Sequence, residues 1–348
     1  MPVTMLARRR LASAVLPAVA GLVMAGLGAL PSAQAAAAGP ARVAAHLHST
    51  GTVSLGKPGK LFNFEFSEGP NGAVYYSQGS AVYVVKGTSS PALFVHASGN
   101  VLAVTANSTE VFAEVGRTVT GYSLSGAKVL RHWKLASKPP LTSAGLYAVG
   151  GTVWSWTDWA TDFSGFEFAN VNEFSTSSST VHRISTANAY PADMYANSAG
   201  LYYEAARKNG TNGYLVHVTP SLVPHHTTDV NLDAPLALAG GRVDLLAVHG
   251  NGHSYLDSYS AASLARKFSN RVSDSDRDIA GTGAGLLLLT EPCQVAVCSS
   301  AKVSQLSPAS GTPTATITVP DALILVPGPS AAVITVTKGK LYLVRLAA

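Results

Sequence analysis

The 348-residue sequence predicts an all-β fold, a seven-bladed β-propeller of four-stranded antiparallel blades. Three observations support this prediction: a repeated strand pattern, alternating segments bounded by turn residues, and an N-terminal segment that can supply a missing C-terminal strand. The repeat is marked by the first strong apolar residue of each unit, at Val74, Val111, Val153, Leu201, Val243, Leu286 and Val333. The intervals of 37, 42, 48, 42, 43 and 47 residues are typical of propeller blades.

The first unit shows the strand pattern most clearly. Residues 62–66 alternate apolar and polar side chains, and the turn sequence Gly-Pro-Asn-Gly at 69–72 leads into an apolar strand. Such alternation between turn residues is typical of antiparallel strands joined by hairpins. The same order recurs along the chain and predicts seven blades. They cover approximately residues 61–99, 100–136, 142–188, 190–231, 234–274, 277–320 and 322–348.

The two ends of the repeat indicate how the ring closes. The last unit contains three strand patterns, at 322–326, 332–336 and 341–346, and a fourth is missing. An alternating segment at 46–55 stands before the first blade without a unit of its own. We expect this N-terminal strand to close the last blade, because doing so removes an exposed strand edge and ties down a terminus. The alternative is a loose N-terminal arm.

Two stretches of the first unit, GPNGAVY at 69–75 and AVYVV at 81–85, resemble the blade pattern of the NHL and YVTN-type propellers of secreted bacterial proteins. The resemblance covers most of the chain after residue 35, at the level of architecture. The repeated marks of the tryptophan–aspartate family and the docking motifs of quinoprotein propellers are not seen. The resemblance therefore implies the seven-bladed superfamily and transfers no functional residue.

The first 35 residues have the form of a signal peptide. Arg8, Arg9 and Arg10 precede the uncharged, largely apolar run 11–30, and the sequence Ala-Gln-Ala ends at Ala35. We expect cleavage after Ala35, a flexible leader at 36–45, and a secreted, extracytoplasmic bacterial protein. An uncleaved membrane anchor is the alternative, since a run of about 20 apolar residues can span a bilayer.

The net charge argues against nucleic acid as a partner. The chain carries +5, and removal of the three arginines of the signal segment, which holds no acidic residue, leaves +2. Nucleic-acid binding would require lysine and arginine clustered on one face. We expect a monomer without cofactor, and no membrane association after cleavage.

Cys293 and Cys298 are the only cysteines. Two cysteines in an exported chain, five positions apart in a hairpin loop, predict a disulfide that closes the loop. The loop-entropy model gives such a small ring about 2 kcal/mol. Redox catalysis or metal binding is the alternative, although the usual two-residue gap and a second ligand pair are missing.

Alternating acidic residues occur at Asp274, Asp276 and Asp278, as at the start of a calcium loop. Ile279 and Gly285 stand where such a loop needs glycine and a bidentate glutamate. We interpret the run as a solvated connection between blades, with a calcium site as the alternative.

The glycines Gly281, Gly283 and Gly285 precede a strand rather than a helix, so we interpret them as turn glycines and not as part of a dinucleotide site.

The densest aromatic cluster lies in the third blade. Trp154 and Trp156 share one face of a predicted strand and should pack on a neighbouring blade. Trp159 and Phe163 follow in the next connection, interleaved with Asp158 and Asp162, and we predict these four residues as a ligand-binding site. Exposed rings beside carboxylates could stack on sugar rings or hold a peptide. The alternative is that all these rings pack between blades.

The sequence shows no catalytic constellation and no metal-binding pattern. The ten histidines are scattered, without a third ligand at useful spacing. The first functional hypothesis is therefore a non-enzymatic module that binds a glycan, peptide or protein. The alternative is a propeller enzyme, a lyase or hydrolase, with residues from several blades around the mouth of the central channel. A structural envelope protein is a third possibility.

Overall fold

The computed structural model describes residues 46–58, 62–125, 128–135, 143–158, 170–184, 191–206, 213–219, 224–226, 235–283, 285–293 and 298–347. These residues form seven four-stranded antiparallel sheets, and a 3₁₀ turn at Pro70–Gly72. The first strands of neighbouring blades contact one another in order around a ring, and blade 7 contacts blade 1. The predicted fold class, a seven-bladed β-propeller, is confirmed.

Strand β1 (His48–Gly56) precedes blade 1 and belongs to blade 7. The next four blades each contain four consecutive strands. Blade 1 contains β2 (Phe62–Glu68), β3 (Val74–Gln78), β4 (Ala81–Val85) and β5 (Ala92–His96). Blade 2 contains β6 (Val101–Ala106), β7 (Glu110–Val115), β8 (Thr118–Ser123) and β9 (Val129–Lys134). Blade 3 contains β10 (Ser143–Val149), β11 (Thr152–Asp158), β12 (Asn170–Ser175) and β13 (Val181–Ile184). Blade 4 contains β14 (Pro191–Asn197), β15 (Gly200–Ala206), β16 (Gly213–Val218) and β17 (Pro224–His226).

The last three blades complete the ring. Blade 5 contains β18 (Leu236–Ala239), β19 (Arg242–Val248), β20 (Ser254–Ser260) and β21 (Arg266–Arg271). Blade 6 contains β22 (Asp276–Thr282), β23 (Gly285–Thr290), β24 (Lys302–Leu306) and β25 (Pro313–Thr318). Blade 7 contains β26 (Ala322–Val326), β27 (Ala331–Thr337) and β28 (Lys340–Ala347), with β1 as its outermost strand.

Antiparallel pairing gives the ring two ends. We call the end where the first strand of each blade turns into the second the lower end. The upper end is the one where the second strand turns into the third and where the chain passes to the next blade. Loops at one end can therefore act together, although they are far apart in sequence.

Blade 7 closes through the N-terminal strand, as predicted. Strand β1 pairs antiparallel with β28, with Val53 opposite Leu343, and two bulges interrupt the ladder. The strand begins two residues later than the predicted segment 46–55 and ends one residue beyond it. Leu47, just before β1, is buried among apolar side chains of blades 6 and 7. The described N-terminal residues are thus fastened both by the backbone ladder and by side-chain burial.

Most of the core lies between neighbouring blades. Trp154 and Trp156 on β11 pack against Met194, Leu201 and Tyr203 of blade 4, so the predicted role of these tryptophans is confirmed. Burial of a large apolar side chain contributes about 1.5–3 kcal/mol. Apolar clusters of the described residues lie between blades 1 and 2, 2 and 3, 3 and 4, 4 and 5, 5 and 6, and 6 and 7. These parts of the ring are therefore held mainly by contacts between blades.

The seam between blades 7 and 1 is polar at the lower end. Glu68, the last residue of β2, accepts the Ser330 N–H at 2.6 Å. Arg345 donates to the carbonyls of Gly72 and Gly87, both at 2.7 Å. The Arg345 Nη1 lies 4.0 Å from Glu68 Oε1. These contacts join residues 258 to 273 positions apart and tie the two ends of the ring together.

Burial dominates the electrostatics of this seam. Desolvation raises the pKa of the Glu68 carboxyl above its usual value, against the opposing effects of Ser330 and Arg345. Gly328 allows the approach, because a Cβ at that position would collide with the Glu68 side chain. The backbone of Gly328 is also at φ +152°, which L side chains rarely adopt.

Candidate functional site at the upper end of the ring

The predicted aromatic site follows a strand that ends at the upper end of the ring. Strand β11 ends at Asp158 and β12 begins at Asn170. The side chain of Asp158 and the whole of Trp159, Asp162 and Phe163 lie outside the described residues. Their role in ligand binding stays a prediction.

Blade 5 presents a described group of polar side chains at the same end. Strands β19 and β20 are joined by the turn 249–253, which is closed by backbone hydrogen bonds between His249 and His253 (3.0 Å) and between Gly252 and His249 (2.8 Å). Gly252 has φ +77°, a conformation that favours glycine. The tight turn brings side chains from both strands and from the connection to blade 6 close together.

The first half of this group is built on a buried carboxylate. Asp257 on β20 is enclosed, and its Oδ2 accepts a hydrogen bond from His249 Nε2 at 2.8 Å. The His249 ring stacks on Tyr255, with centroids 4.0 Å apart and planes inclined by 10°. The Tyr255 hydroxyl accepts a hydrogen bond from Asn251 at 2.8 Å. The two rings are therefore fixed from below and remain partly exposed above.

The second half is more exposed. Asp274 accepts the Ser254 N–H at 2.8 Å. The Nδ1 atom of His253 lies 3.1 Å from Asp274 Oδ2 and also 3.1 Å from Arg271 Nη2. A protonated Nδ1 donates to Asp274, whereas an unprotonated one accepts from Arg271. The hydrogen bond from Ser254, followed by that from His253, lowers the pKa of the Asp274 carboxyl.

The three alternating aspartates do not converge on one point. Asp276 is buried and accepts hydrogen bonds from the Ser273 N–H and the Thr290 hydroxyl, and burial raises its pKa. Asp278 accepts a hydrogen bond from the Leu325 N–H at 2.8 Å, and Asp274 accepts one from the Ser254 N–H. Each carboxylate thus supports a different backbone segment. Among the described residues, no group of three or more His, Cys, Asp or Glu side chains is placed to hold a metal ion.

The disulfide lies at the upper end of blade 6. Cys293 and Cys298 are bonded, with Cα atoms 5.4 Å apart. Cys298 is buried in the core between blades 6 and 7, and its carbonyl accepts N–H groups from Ala301 and Asp321. The bond therefore secures a loop whose base also anchors the connection into blade 7.

The interpretation of Gly281 as a turn glycine is wrong. Gly281 lies within β22, and a Cβ there would collide with the Leu238 carbonyl of the neighbouring blade. The first strands of blades 5 and 6 approach so closely that only glycine fits. Gly283 is similarly placed against the Pro329 carbonyl, to which it donates a hydrogen bond at 3.1 Å.

No sequence pattern predicts the blade 5 group. The histidines show no third ligand at useful spacing, and His249 and Asp257 are eight positions apart. Only the length of the turn and the pairing of Ala247 with Tyr255 show that they meet. The signal that was available is the glycine-rich turn flanked by His249 and His253, which predicts a hairpin with polar side chains at its tip.

The comparisons with known proteins show the fold. No family model matches the chain, and no curated protein matches it. A chain of the mitotic checkpoint complex superposes with a TM-score of 0.60 at 12% identity, covering 92% of this chain and 100% of that one. The Neurospora crassa Pan2 WD40 domain gives 0.59 at 9% identity, covering 87% and 96%. The Cps50 (Swd1) β-propeller domain of Myceliophthora thermophila gives 0.57 at 9% identity, covering 86% and 100%.

Within the described residues, no helix is long and apolar enough to cross a membrane.

Proposed function

We propose that this chain is a non-enzymatic binding module that holds a peptide segment of a partner protein at the upper end of the ring. The observation that carries the proposal is the blade 5 group. His249 and Tyr255 form a fixed ring pair, and Arg271 and His253 stand beside it with much of their side chains exposed. Groups that are already held in place lose little conformational entropy when a ligand binds.

The composition of the group fits recognition of a polypeptide. Tyrosine and arginine are enriched among the residues that dominate protein interfaces. Val248, which precedes the turn, is 52% exposed and offers an apolar contact next to these polar groups. Asp274 and Arg271 provide an acceptor and a donor, so the backbone and side chains of an extended peptide could both be bound.

We further propose that the protein acts outside the cytoplasm, as a monomer. The extracytoplasmic location rests on the signal-peptide pattern of the first 35 residues. Mass spectrometry of the exported protein would test it, with Ala36 as the expected N-terminal residue. A protein found intact from Met1 in the cell would contradict the proposal.

Strand β21 supplies a matched pair of variants for the binding test. Arg271 and Arg266 are both exposed and stand at the upper and lower ends of the same strand. The protein from residue 36 onward and its R271A, R266A and W159A variants would be applied to peptide and glycan arrays. We expect a peptide signal that falls at least tenfold in R271A and persists in R266A. Equal signals from R271A and R266A would refute the assignment to blade 5.

The remaining array results bear on the predicted aromatic site and on the ligand class. Loss of signal in W159A would extend the site to the third blade. Signals from glycans alone would overturn the peptide proposal and would favour a sugar-binding module.

The His249–Asp257 pair favours an enzyme as a second candidate. A buried carboxylate that orients an imidazole is the usual support of a general base. Among the described residues, His249 is hydrogen-bonded to Asp257 and not to a serine, threonine or cysteine that could act as nucleophile. In this candidate the nucleophile is therefore water or a group of the substrate. Hydrolysis of activated esters by the wild type, lost in H249A, would support this candidate, and no turnover would leave the binding module.

A further inference from the structure

A second surface lies on the outer rim, at the lower end of blades 1 and 2. Four large apolar side chains are strongly exposed in the described part of the chain. They are Leu93 (50%), Val129 (46%), Leu130 (43%) and Val248 (52%). Three of the four stand on β5 and β9, the outermost strands of two neighbouring blades. This concentration distinguishes the rim of blades 1 and 2 from the rest of the described ring.

A groove runs between these two blades. Its volume is about 460 Å³, and its walls include Val84, Leu93, Phe94 and Leu124. This size falls within the range of about 300–1,000 Å³ that is usual for ligand sites. We name this feature the rim groove.

The floor of the rim groove is rigid. The Phe94 ring packs edge-on against Tyr75, with centroids 5.5 Å apart, and against Tyr122 at 6.4 Å. Tyr75 and Tyr122 are themselves buried between blades 1 and 2. A side chain entering the groove would therefore meet a preformed apolar surface, and the protein would pay little ordering entropy.

The backbone beside the rim groove has an open edge. Strand β5 is the last strand of its sheet, so one edge of its backbone has no neighbour in that sheet. Its sequence Ala-Leu-Phe-Val-His carries neither lysine nor proline, the residues that commonly block such edges. In contrast, the outermost strands β21 and β25 begin with Arg-Lys and with Pro.

The unpaired charges among the described residues around the rim groove are positive. Lys86 lines the groove and Lys128 stands just before β9, and both are exposed. Neither has an acidic partner among the described residues. Arg131 on β9 is engaged by Glu110 at 3.1 Å. The surface therefore complements an acidic ligand.

We propose that the rim groove is a docking site for an extended, acidic segment of a partner protein. The segment adds a strand to the open edge of β5, and alternate aliphatic side chains enter the groove. Its acidic side chains face Lys86 and Lys128. This site is separate from the blade 5 group, which lies at the opposite end of the ring.

Charge selects this occupant over two others. A second copy of the chain would bring its own Lys86 and Lys128 against the same two residues, and like charges repel. The leader 36–45 contains Arg42 and no acidic residue, so it lacks the complementary charge. A partner segment with aspartate or glutamate between aliphatic residues can place its aliphatic side chains in the groove and its carboxylates beside Lys86 and Lys128.

Fluorescence polarisation with labelled nine-residue peptides tests the proposal. Leucine or valine would alternate with aspartate, serine or lysine, giving three probes of equal length. We expect the aspartate peptide to bind at least tenfold more tightly than the other two. Equal binding of the three probes, or no binding of the aspartate peptide, would overturn the proposal.

Two exposed residues on outermost strands give matched variants. Leu93→Glu should weaken binding of the aspartate peptide at least tenfold. Thr314→Glu, at the second position of β25 on blade 6, as Leu93 is on β5, should leave that binding unchanged. A double variant with Lys86→Glu and Lys128→Glu should transfer the preference to the lysine peptide. Equal effects of the Leu93 and Thr314 changes, or an unchanged preference in the double variant, would refute the site.

Two further measurements test whether a second copy of the chain or the leader 36–45 occupies the rim groove: light scattering, and peptide affinity after removal of the leader. A dimer of the wild type that dissociates in L93E would assign the groove to a second copy and overturn the proposal. Aspartate-peptide affinity that rises at least tenfold when residues 36–45 are removed would assign it to the leader, with the same consequence. Since R271A does not touch the rim groove, failure here and failure of the blade 5 site are distinguishable.

Discussion

The seam between blades 7 and 1 and the upper end of blade 5 contain similar side chains that have different roles. Each combines a carboxylate, an arginine and a backbone N–H donor. At the seam the Glu68 side chain is 1% exposed, whereas that of Asp274 on blade 5 is 52% exposed. The difference teaches that burial, more than composition, decides whether a polar group holds the ring together or is available to a ligand.

The two carboxylates also differ in the direction of their pKa shifts. Desolvation raises the pKa of Glu68, while hydrogen bonds from Ser254 and His253 lower that of Asp274. Glu68 is thus held at an electrostatic cost that the ring closure offsets. Asp274 is kept ionised at the surface, where a ligand can reach it.

Removal of strand β1 is the largest test of the closure. A protein that starts at residue 57 would leave β28 as an unpaired edge and would expose the apolar residues beneath it. We expect loss of cooperative folding, seen as the loss of a thermal transition in circular dichroism. A protein that starts at residue 46 is the control and should melt like one that starts at residue 36. Cooperative melting of the shorter protein would show that the ring closes without β1.

Glu68→Ala tests the seam itself. The change leaves the partly buried Ser330 N–H without its acceptor, so we expect a loss of about 1–3 kcal/mol in the free energy of unfolding. Glu68→Gln keeps an acceptor and should lose less. Urea unfolding gives both values, and R271A should change the free energy by less than about 0.5 kcal/mol. Equal losses from E68A and R271A would remove the distinction between the two regions.

Loss of the disulfide at the upper end of blade 6 should have an intermediate effect on the free energy of unfolding. Replacing Cys293 and Cys298 together by serine should lower the free energy of unfolding by about 2 kcal/mol, because a six-residue ring is released in the unfolded chain. The same variant should keep its affinity for the peptide whose binding R271A weakens, since blade 5 is untouched. No change in urea midpoint would show that the loop is held by its core contacts alone.

The pH dependence of the seam is a smaller effect with a defined sign. Because the pKa of Glu68 is raised in the folded state, the folded protein binds its proton more tightly than the unfolded chain. Wild-type stability should therefore fall as pH rises from about the unfolded pKa of 4.5 through the raised folded value. E68Q lacks this loss, so its stability relative to the wild type should increase with pH across that window. A constant difference between the two proteins would contradict the raised pKa.

The sequence predicted the fold well because its signals are local. Period-two alternation and turn residues mark each strand, and the unmatched strand patterns at the two ends predicted the closure by β1. The disulfide could be predicted for the same reason, from two cysteines in one hairpin. The contacts of the seam could not be predicted, because Glu68, Ser330 and Arg345 meet only after the ring has closed. Gly281 was misinterpreted because the close approach of Leu238 comes from another blade.

The candidate site was predicted only in part. The tryptophan pair of β11 was correctly assigned to packing, and the ligand role of Trp159, Phe163, Asp158 and Asp162 stays a prediction. The blade 5 group depends on the register of β19 and β20 and on the connection into blade 6. Such a combination of three segments has no linear motif, so it becomes visible only in the folded chain.

The most direct test measures stability and binding on the same four proteins: wild type, E68A, R271A and R266A. Urea unfolding and affinity for the strongest array peptide would be determined for each. We predict that E68A loses stability and keeps its affinity, that R271A loses at least tenfold in affinity and keeps its stability, and that R266A changes neither. Loss of both properties in either E68A or R271A would contradict the division between a structural seam and a binding surface.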